Sequence, residues 1–427
     1  MANAKWPDRF VYVCGAGGAA TVNVSPLLHS GRNCAVGVVI MSAVSNEENP
    51  TPTDYKESIY PTERLKGFCA KVLRLDPDTR IKVIPGHSDS FRPWAQVLHT
   101  AAEMARELDA EIVFNATGGR KPATIGALLG YRPTDPLAPK MTMISVGLSP
   151  FQARVIEIGS DGQIHETLLP IEDRLRIGTY LRQYGVSETA PEKRLVFEDF
   201  LLKSRAAAEM LAASAAMAGG RKSIVQLYNV LNREQKAAEV YWKFRPYSTS
   251  PPKVFLPAIA QVPGTRLNPG DTVSIETELA HGFLTGKWLE GLIFYKAREV
   301  FGGKNDVKIA AGLELGMPKK PKQRKPAITE FDLAILAEDR LDFVEAKAIS
   351  GKMGKGKLHG AIDKLAKYRD QLSGPSGMAW LITPLLQTGE LKDLDAFKHA
   401  ENVGVKLLCG DAAVQKFGEE LAESHRI

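Results

Sequence analysis

Residues 332–347 constrain this chain more tightly than any other stretch. They read Asp332-Leu-Ala-Ile-Leu-Ala-Glu-Asp-Arg-Leu-Asp-Phe-Val-Glu345-Ala-Lys347, two apolar strand-like runs around a polar turn. Side chains two apart in a strand share a face. Glu345 and Lys347 therefore point the same way, and a hairpin between the runs brings Asp332 beside them. Two carboxylates and an ammonium on a rigid sheet are the equipment of a divalent-metal site next to a water-orienting cation, which suits phosphodiester hydrolysis. The plainer reading is polar alternation along half-exposed strands with a structural ion pair. Against it, Phe343, Val344, Ala346 and Ala348 surround the charges with apolar side chains. An unpaired charge there would cost on the order of several kcal/mol.

A third carboxylate precedes this hairpin. The spacing predicts a helix over 286–301, on which Glu290 shares a stripe with Ile293, Phe294, Ala297 and Phe301. A Glu on an apolar stripe either snorkels at the rim or joins Asp332 and Glu345. Three carboxylates together suit Mg²⁺ or Mn²⁺, which take oxygen ligands.

The chain has 427 residues, too many for one ordinary domain. No apolar run reaches membrane-spanning length, and the amino terminus lacks the apolar core of a signal peptide. Cys14, Cys34, Cys69 and Cys409 are scattered, without a CxxC pair, so neither a disulfide framework nor a zinc site is expected. A cytoplasmic protein with no membrane partner follows. The net charge of +6 permits a polyanionic partner.

Residues 9–160 alternate strands with helices. β-rich runs lie at 9–14, 35–41, 81–85, 111–115, 141–146 and 154–158, with helical stretches at 94–108 and 122–130. That order predicts a doubly wound parallel sheet, whose ligands bind beyond the carboxyl ends of its strands. Residues 165–250 predict a helical connector, with amphipathic stretches at 195–217 and 222–244 and a boundary at 247–253. From 254 the pattern is α-β-β-β-α-β, with strands at 307–315, 327–337, 341–348 and 378–382, a helix at 358–372 and a last strand at 405–408.

Two glycine-bearing loops mark the amino-terminal half. Phe114-Asn-Ala-Thr-Gly-Gly-Arg-Lys-Pro-Ala-Thr124 runs from a strand into a helix. Gly118 and Gly119 allow close backbone approach to an anion, Arg120 and Lys121 supply charge, and Pro122 suits a first helical turn. Cys14-Gly-Ala-Gly-Gly-Ala-Ala20 fits the dinucleotide spacing GxGxxA. A nicotinamide enzyme wants an acidic residue ending its second strand, and this one ends Val38-Val-Ile-Met-Ser42. Basic loops at 319–325 and 351–357 flank the carboxyl-terminal carboxylates and suit a phosphate backbone, the solvated face being the plain alternative. Tyr368 and Gln371 follow on a helix where a structural role is expected.

The order of a helical Glu290, a strand Asp332 and then Glu345-Ala-Lys347 resembles the PD-(D/E)xK fold of restriction endonucleases, with Phe331-Asp332 in place of the usual Pro-Asp. The segment Asn115-Ala-Thr-Gly-Gly-Arg-Lys121, with Thr21-Val-Asn23 after the first strand, resembles the CARF domain of CRISPR-associated proteins. That domain is a Rossmann-like dimer that binds cyclic oligoadenylate across its two-fold axis. Residues 171–185 look like the segment that follows it. Together the two motifs resemble the cyclic-oligoadenylate-activated nucleases of type III CRISPR antiviral defence.

The resemblance implies an α/β protein: an amino-terminal Rossmann-like CARF domain at 1–160, a helical connector at 161–253 and a restriction-endonuclease-like α/β domain at 254–427. It implies a homodimer activated by cyclic oligoadenylate, with cyclic tetra-adenylate as the expected ring. Ligand contacts fall on Gly15, Thr21, Asn23, Asn115, Thr117, Gly118, Gly119, Arg120, Lys121 and Thr124. The metal, Mn²⁺ or Mg²⁺, falls to Glu290, Asp332 and Glu345, with Lys347 completing the catalytic set, and DNA or RNA is the substrate. Two other readings stand beside it. One is a non-catalytic CARF-type sensor whose second domain binds nucleic acid or a partner. The other is a ring nuclease that degrades the cyclic oligoadenylate in its own pocket.

Overall fold

The computed structural model describes residues 5–425 apart from 17–19, 31–33, 44–58, 87–91, 118–138, 149–150, 159–163, 170–175, 183, 218, 239–243, 305–306, 317–327, 338–339, 348–354, 374–376 and 386–393. The first sheet takes β1 (Phe10–Ala16), β2 (Ala35–Ala43), β3 (Ile81–Gly86), β4 (Glu111–Asn115), β5 (Met141–Leu148), β6 (Phe151–Ile158) and β7 (Ile164–Leu168). Its order is β3-β2-β1-β4-β5-β6-β7. Strands β1 to β5 pair in parallel, as the strand–helix alternation predicts. β6 and β7 instead pair antiparallel. Chain length explains the difference: β5 ends at Leu148 and β6 starts at Phe151, whereas a parallel crossover needs a dozen or more residues.

Helices α1 (Ala20–His29), α2 (Tyr60–Lys71) and α3 (Arg92–Glu107) cover this sheet. The central strand β1 is apolar on both faces because both are covered. Phe10, Tyr12 and Cys14 enter the core that includes Leu27 and Phe68, while Val11 and Val13 enter the core that includes Trp94 and Leu98. All four cysteines are free thiols.

After α4 (Ile177–Arg182), the short strand β8 (Ser187–Glu188) leads into α5 (Pro191–Lys203), α6 (Arg205–Ala216) and α7 (Gly220–Ala238). The single helix expected over 195–217 is thus two. The Ser204 hydroxyl donates to the Phe200 carbonyl at 2.8 Å, the back-bonding that bends helices, and Ser204 leaves the helical region at φ −100°, ψ 8°. A three-stranded antiparallel sheet that the sequence reading missed follows, built from β9 (Tyr247–Thr249), β10 (Thr265–Asn268) and β11 (Thr272–Ile275). Its strands have three or four residues, too few for a period-two signal.

The last sheet has the order β16-β15-β14-β13-β12-β8. Around α8 (Trp288–Phe301), α9 (Lys355–Tyr368), α10 (Leu394–Asn402) and α11 (Ala413–Ser424), it comprises β12 (Lys308–Gly316), β13 (Ile328–Ala337), β14 (Arg340–Ala346), β15 (Ala379–Thr383) and β16 (Lys406–Cys409). Strands β12, β13 and β14 form an antiparallel meander, and β14, β15 and β16 run parallel. The edge is β8, so the segment after α4 is woven into this sheet. α8 and α11 pack on one face, where Phe294, Ala297, Phe417 and Leu421 share a core. α9 and α10 pack on the other with Ile362, Leu365, Ala396 and Ala400. Among the described residues no helix is long and apolar enough to cross a membrane.

The chain end is fastened to this sheet by charge. Asp342, fully buried, accepts the Met378 N–H at 2.8 Å, and its other oxygen lies 3.0 Å from both Arg340 Nη2 and His425 Nε2. Replacing Asp342 with Ala strands a buried guanidinium, a loss of about 3–5 kcal/mol. Thermal unfolding of Asp342→Ala is therefore expected to show the carboxyl-terminal transition at much lower temperature with the amino-terminal transition unmoved.

Candidate functional site

The carboxyl-terminal site begins with a fault in a β-ladder. Ala311 pairs with Leu333, and Leu313 with Phe331. Positions two apart should share a face. Yet Ala311 and Leu333 enter the core beside α8, while Leu313 and Phe331 enter the core beside α9. The alternation breaks at Gly312 and at Asp332, which stands opposite it. Gly312 has φ +64°, and a Cβ there would sit 2.9 Å from the Phe197 ring of α5. Only glycine tolerates both.

Asp332 is thereby set beside the end of β14. Its Oδ2 accepts the Ala346 N–H at 2.7 Å and lies 3.4 Å from Lys347 Nζ. Glu345, 2 % exposed, receives Lys347 Nζ at 2.9 Å on one oxygen and Lys364 Nζ of α9 on the other. The hairpin therefore unites Asp332, Glu345 and Lys347 as the strand geometry predicts. Lys364 was not foreseen, because nothing local in α9 distinguishes it from Lys367, three positions on. Its ammonium also lies 4.8 Å from the centre of the Phe331 ring.

Glu290 opens α8 and is 8 % exposed, and its Oε2 has no hydrogen-bond partner. Burial, and next the Asp332 charge, push its pKa well above the carboxylate range, and Lys287 opposes them. Asp332 itself is raised to about 7 by burial and then by Glu345, against the pull of Lys347 and the Ala346 N–H. Burial works against the Lys347 ammonium, but Asp332 and Glu345 outweigh it and hold its pKa above that of ordinary lysine. These groups share one electrostatic neighbourhood, which is where perturbed titration concentrates in functional sites. Even so, among the described residues no group of three His, Cys, Asp or Glu side chains stands ready to hold a metal ion. The three-carboxylate shell expected for Mg²⁺ or Mn²⁺ is not assembled: lysines occupy both Glu345 oxygens, and Glu290 keeps an unpartnered oxygen. Tyr368 is core, edge-on to Phe331 at 5.3 Å, and Gln371 is exposed.

The amino-terminal crevice lies at the carboxyl ends of β1 and β4, where the strand order reverses and open α/β sheets bind ligands. Buried Asn23 of α1 donates to the Gly15 carbonyl at 2.9 Å and accepts from Asn115 at 3.1 Å. Asn115 also donates to the Tyr12 hydroxyl at 2.7 Å and accepts the Thr117 N–H at 3.0 Å. The Thr117 hydroxyl accepts the Val146 N–H at 2.6 Å. Gly15, Asn23, Asn115 and Thr117 thus meet in one network that ties three strand ends together. Tyr12 joins it unforeseen, since its alternation reads as plain core. Thr21 lies in α1. Gly118, Gly119, Arg120, Lys121 and Thr124 lie outside the described residues, as do the loop 319–325 and most of the loop 351–357.

No protein-family model matches the chain, and no curated protein matches its sequence. Solved structures do match its fold. The crystal structure of protein VC1899 from Vibrio cholerae superposes with TM-score 0.67 at 15% identity, covering 97% of this chain and 98% of that one. Can2 from Sulfobacillus thermosulfidooxidans, solved in complex with cyclic tetra-adenylate, gives TM-score 0.59 at 15% identity and covers 98% of each chain. The likeness spans both sheets and what joins them, and it is a likeness of fold.

The electrostatics separate a functional cluster from a structural ion pair. Asp332 titrates near 7 when folded, above the unfolded value of about 3.9. The folded state holds the extra proton between those values. Its stabilising effect is full below about pH 4 and is lost as pH rises through 7. Asp332→Asn, which carries no charge to bury, is expected to melt higher than the parent at pH 8 and level with it near pH 4. Scanning calorimetry from pH 4 to 9 checks this. A lower melting point at pH 8 would make the cluster a structural salt bridge.

Proposed function

We propose that this chain is a sensor of cyclic oligoadenylate in type III CRISPR antiviral defence, with cyclic tetra-adenylate as the preferred ring. The observation that carries this reading is the Gly15–Asn23–Asn115–Thr117 network, with both asparagines buried, at the switch point of the first sheet. It lies in a fold that follows a cyclic-tetra-adenylate complex along 98% of the chain. Asn23 and Asn115 spend their polar groups on one another and on the backbone, so they shape the crevice rather than line it. Direct ligand contact then falls to Thr117, Gly118, Gly119, Arg120 and Lys121, whose charges and backbone N–H groups suit phosphodiesters. Two copies of the chain would share one ring across a two-fold axis.

The second domain supports two readings. The first is an output domain that binds nucleic acid or a partner without cutting it. It is favoured by the two lysines that neutralise Glu345 and, among the described residues, by the lack of an assembled metal shell. The second is a metal-dependent endonuclease acting on DNA or RNA. It is favoured by the unpartnered, buried oxygen of Glu290 beside Asp332. In that reading Glu290, Asp332 and Glu345 would hold Mg²⁺ or Mn²⁺, which supplies charge neutralisation at the phosphate and an acidified water. Lys347 would hold that water or the developing phosphate charge. Lys364 would leave Glu345 and keep its aromatic and backbone contacts. Degradation of the ring in the crevice is a third outcome that the same assay reports.

Two measurements test the proposal. Calorimetric titration with cyclic tetra- and hexa-adenylate is expected to give tighter binding of the smaller ring and at least tenfold weaker binding by Lys121→Ala; equal affinity in that variant would place the pocket elsewhere. Supercoiled plasmid, single-stranded DNA and RNA are then incubated with ring and Mn²⁺. Cleavage that Glu345→Ala abolishes, with ring affinity intact, establishes the endonuclease. Intact substrates and an intact ring recovered after the incubation, with binding retained, establish the non-catalytic sensor, and a cleaved ring marks its degradation in the crevice.

A further inference from the structure

A cavity of about 810 Å³ lies where α4 and β8 meet the end of α8 and the start of β12. Its lining is charged to an unusual degree. Arg176, Arg182, Arg194, Arg298, Lys304 and Lys308 all contribute to it, against a single carboxylate among the described residues, Glu188. That carboxylate is already taken: Arg194 binds it at 2.6 Å and binds Glu198 at 2.7 Å. Arg298 lies 5.5 Å from the centre of the Phe294 ring, and no described carboxylate forms an ion pair with it. Arg176 and Arg182 are exposed at the two ends of α4, and no described carboxylate forms an ion pair with either. Chance solvation of a basic surface places cations on convex helix faces. Here they converge on a concave space from four elements, where like charges repel and the protein alone gains nothing by the arrangement.

We infer that this cavity binds the phosphodiester backbone of a nucleic-acid strand. Three features choose that ligand. The excess of positive charge calls for several phosphates rather than one. Arginine predominates, and its planar fork suits phosphate oxygens. The remaining lining includes the apolar Ile177, Val307 and Ile309, which tolerate the sugar edges of a strand. The site is distinct from the carboxylate cluster: eight residues of α8, about 12 Å, separate Glu290 from Arg298. A strand seated here would be held by its backbone without being read, since the described lining has no amide side chain and no exposed ring to address bases. The inference rests on the reading of the second domain as a nucleic-acid binder and gives that reading a surface outside the loops flanking the carboxylates.

Fluorescence anisotropy with a labelled single-stranded oligonucleotide, at several salt concentrations and without divalent metal, tests it in the full chain. Arg176→Glu, Arg182→Glu and Lys304→Glu combined are expected to weaken binding at least tenfold and to flatten the salt slope by about 2, near 0.7 per lost contact. Arg64→Glu, Lys71→Glu and Lys82→Glu combined change net charge equally on the first domain and are expected to leave both quantities near the parent values. Arg182→Gln, a mild change at an exposed helix end, is expected to lose a few-fold and guards against a misfolded triple variant. If the parent binds and both cavity variants match it in affinity and slope, the cavity assignment falls while the nucleic-acid reading stands. If the parent binds no strand, that reading falls and the cavity goes with it.

Discussion

The break in alternation at Gly312 and Asp332 is the constraint on which the second domain turns. A regular β12–β13 ladder would keep Asp332 within the sheet on the face of Ala334 and Leu336, across from Glu345. The left-handed φ of Gly312 and the Phe197 ring packed against it instead release Asp332 from the ladder, where the Ala346 N–H and Lys347 meet it. The rest of the cluster depends on that placement. Burial and the Asp332 charge push the Glu290 pKa up, and the two strand carboxylates hold Lys347 charged. Functional sites commonly store such conflict because the surrounding fold is stable enough to bear it. α5, which supplies Phe197, follows β8, the edge strand of the same sheet, and shares a core with Ala311 and Leu333.

Most strands of the two large sheets were legible because they are long, apolar and bounded, whereas β7 and β8 fell in a stretch read as a helical connector. The strand expected at 111–115 is Glu111–Asn115, and that at 327–337 is Ile328–Ala337. What failed were features decided by tertiary context. Nothing local says that β6 and β7 reverse the sheet's direction, that Ser204 divides a helix, or that two residues at 187–188 complete an edge six strands wide. The site divides the same way. Asp332, Glu345 and Lys347 were readable because strand period and a hairpin fix their relation. Lys364 and Tyr12 were not, since each acts through a partner more than ten residues away, Glu345 and Asn115. The sequence placed Glu290 near Asp332 but not the lysines that leave the three carboxylates short of a metal shell.

One helix touches both halves of this arrangement. α1 carries Asn23 in the network at the crevice, and five residues on, about 7.5 Å along the axis, it carries Leu28. Leu28 packs against the core of the first sheet and also against the core that holds Tyr180, Phe331 and Leu365. Phe331 precedes Asp332 and stacks on Phe343 at 4.2 Å. A ligand shifts an equilibrium only by its differential affinity for two arrangements. α1, packed against both cores, is one path by which the crevice would influence the carboxylates. Interiors packed at this density move as units and not by gradual deformation, so a rotation of α1 that tightened Asn23 on Gly15 would be felt at Leu28. The lysines on Glu345 fit such a scheme as the resting half: they keep buried carboxylates compensated until an arrangement exists in which something else does.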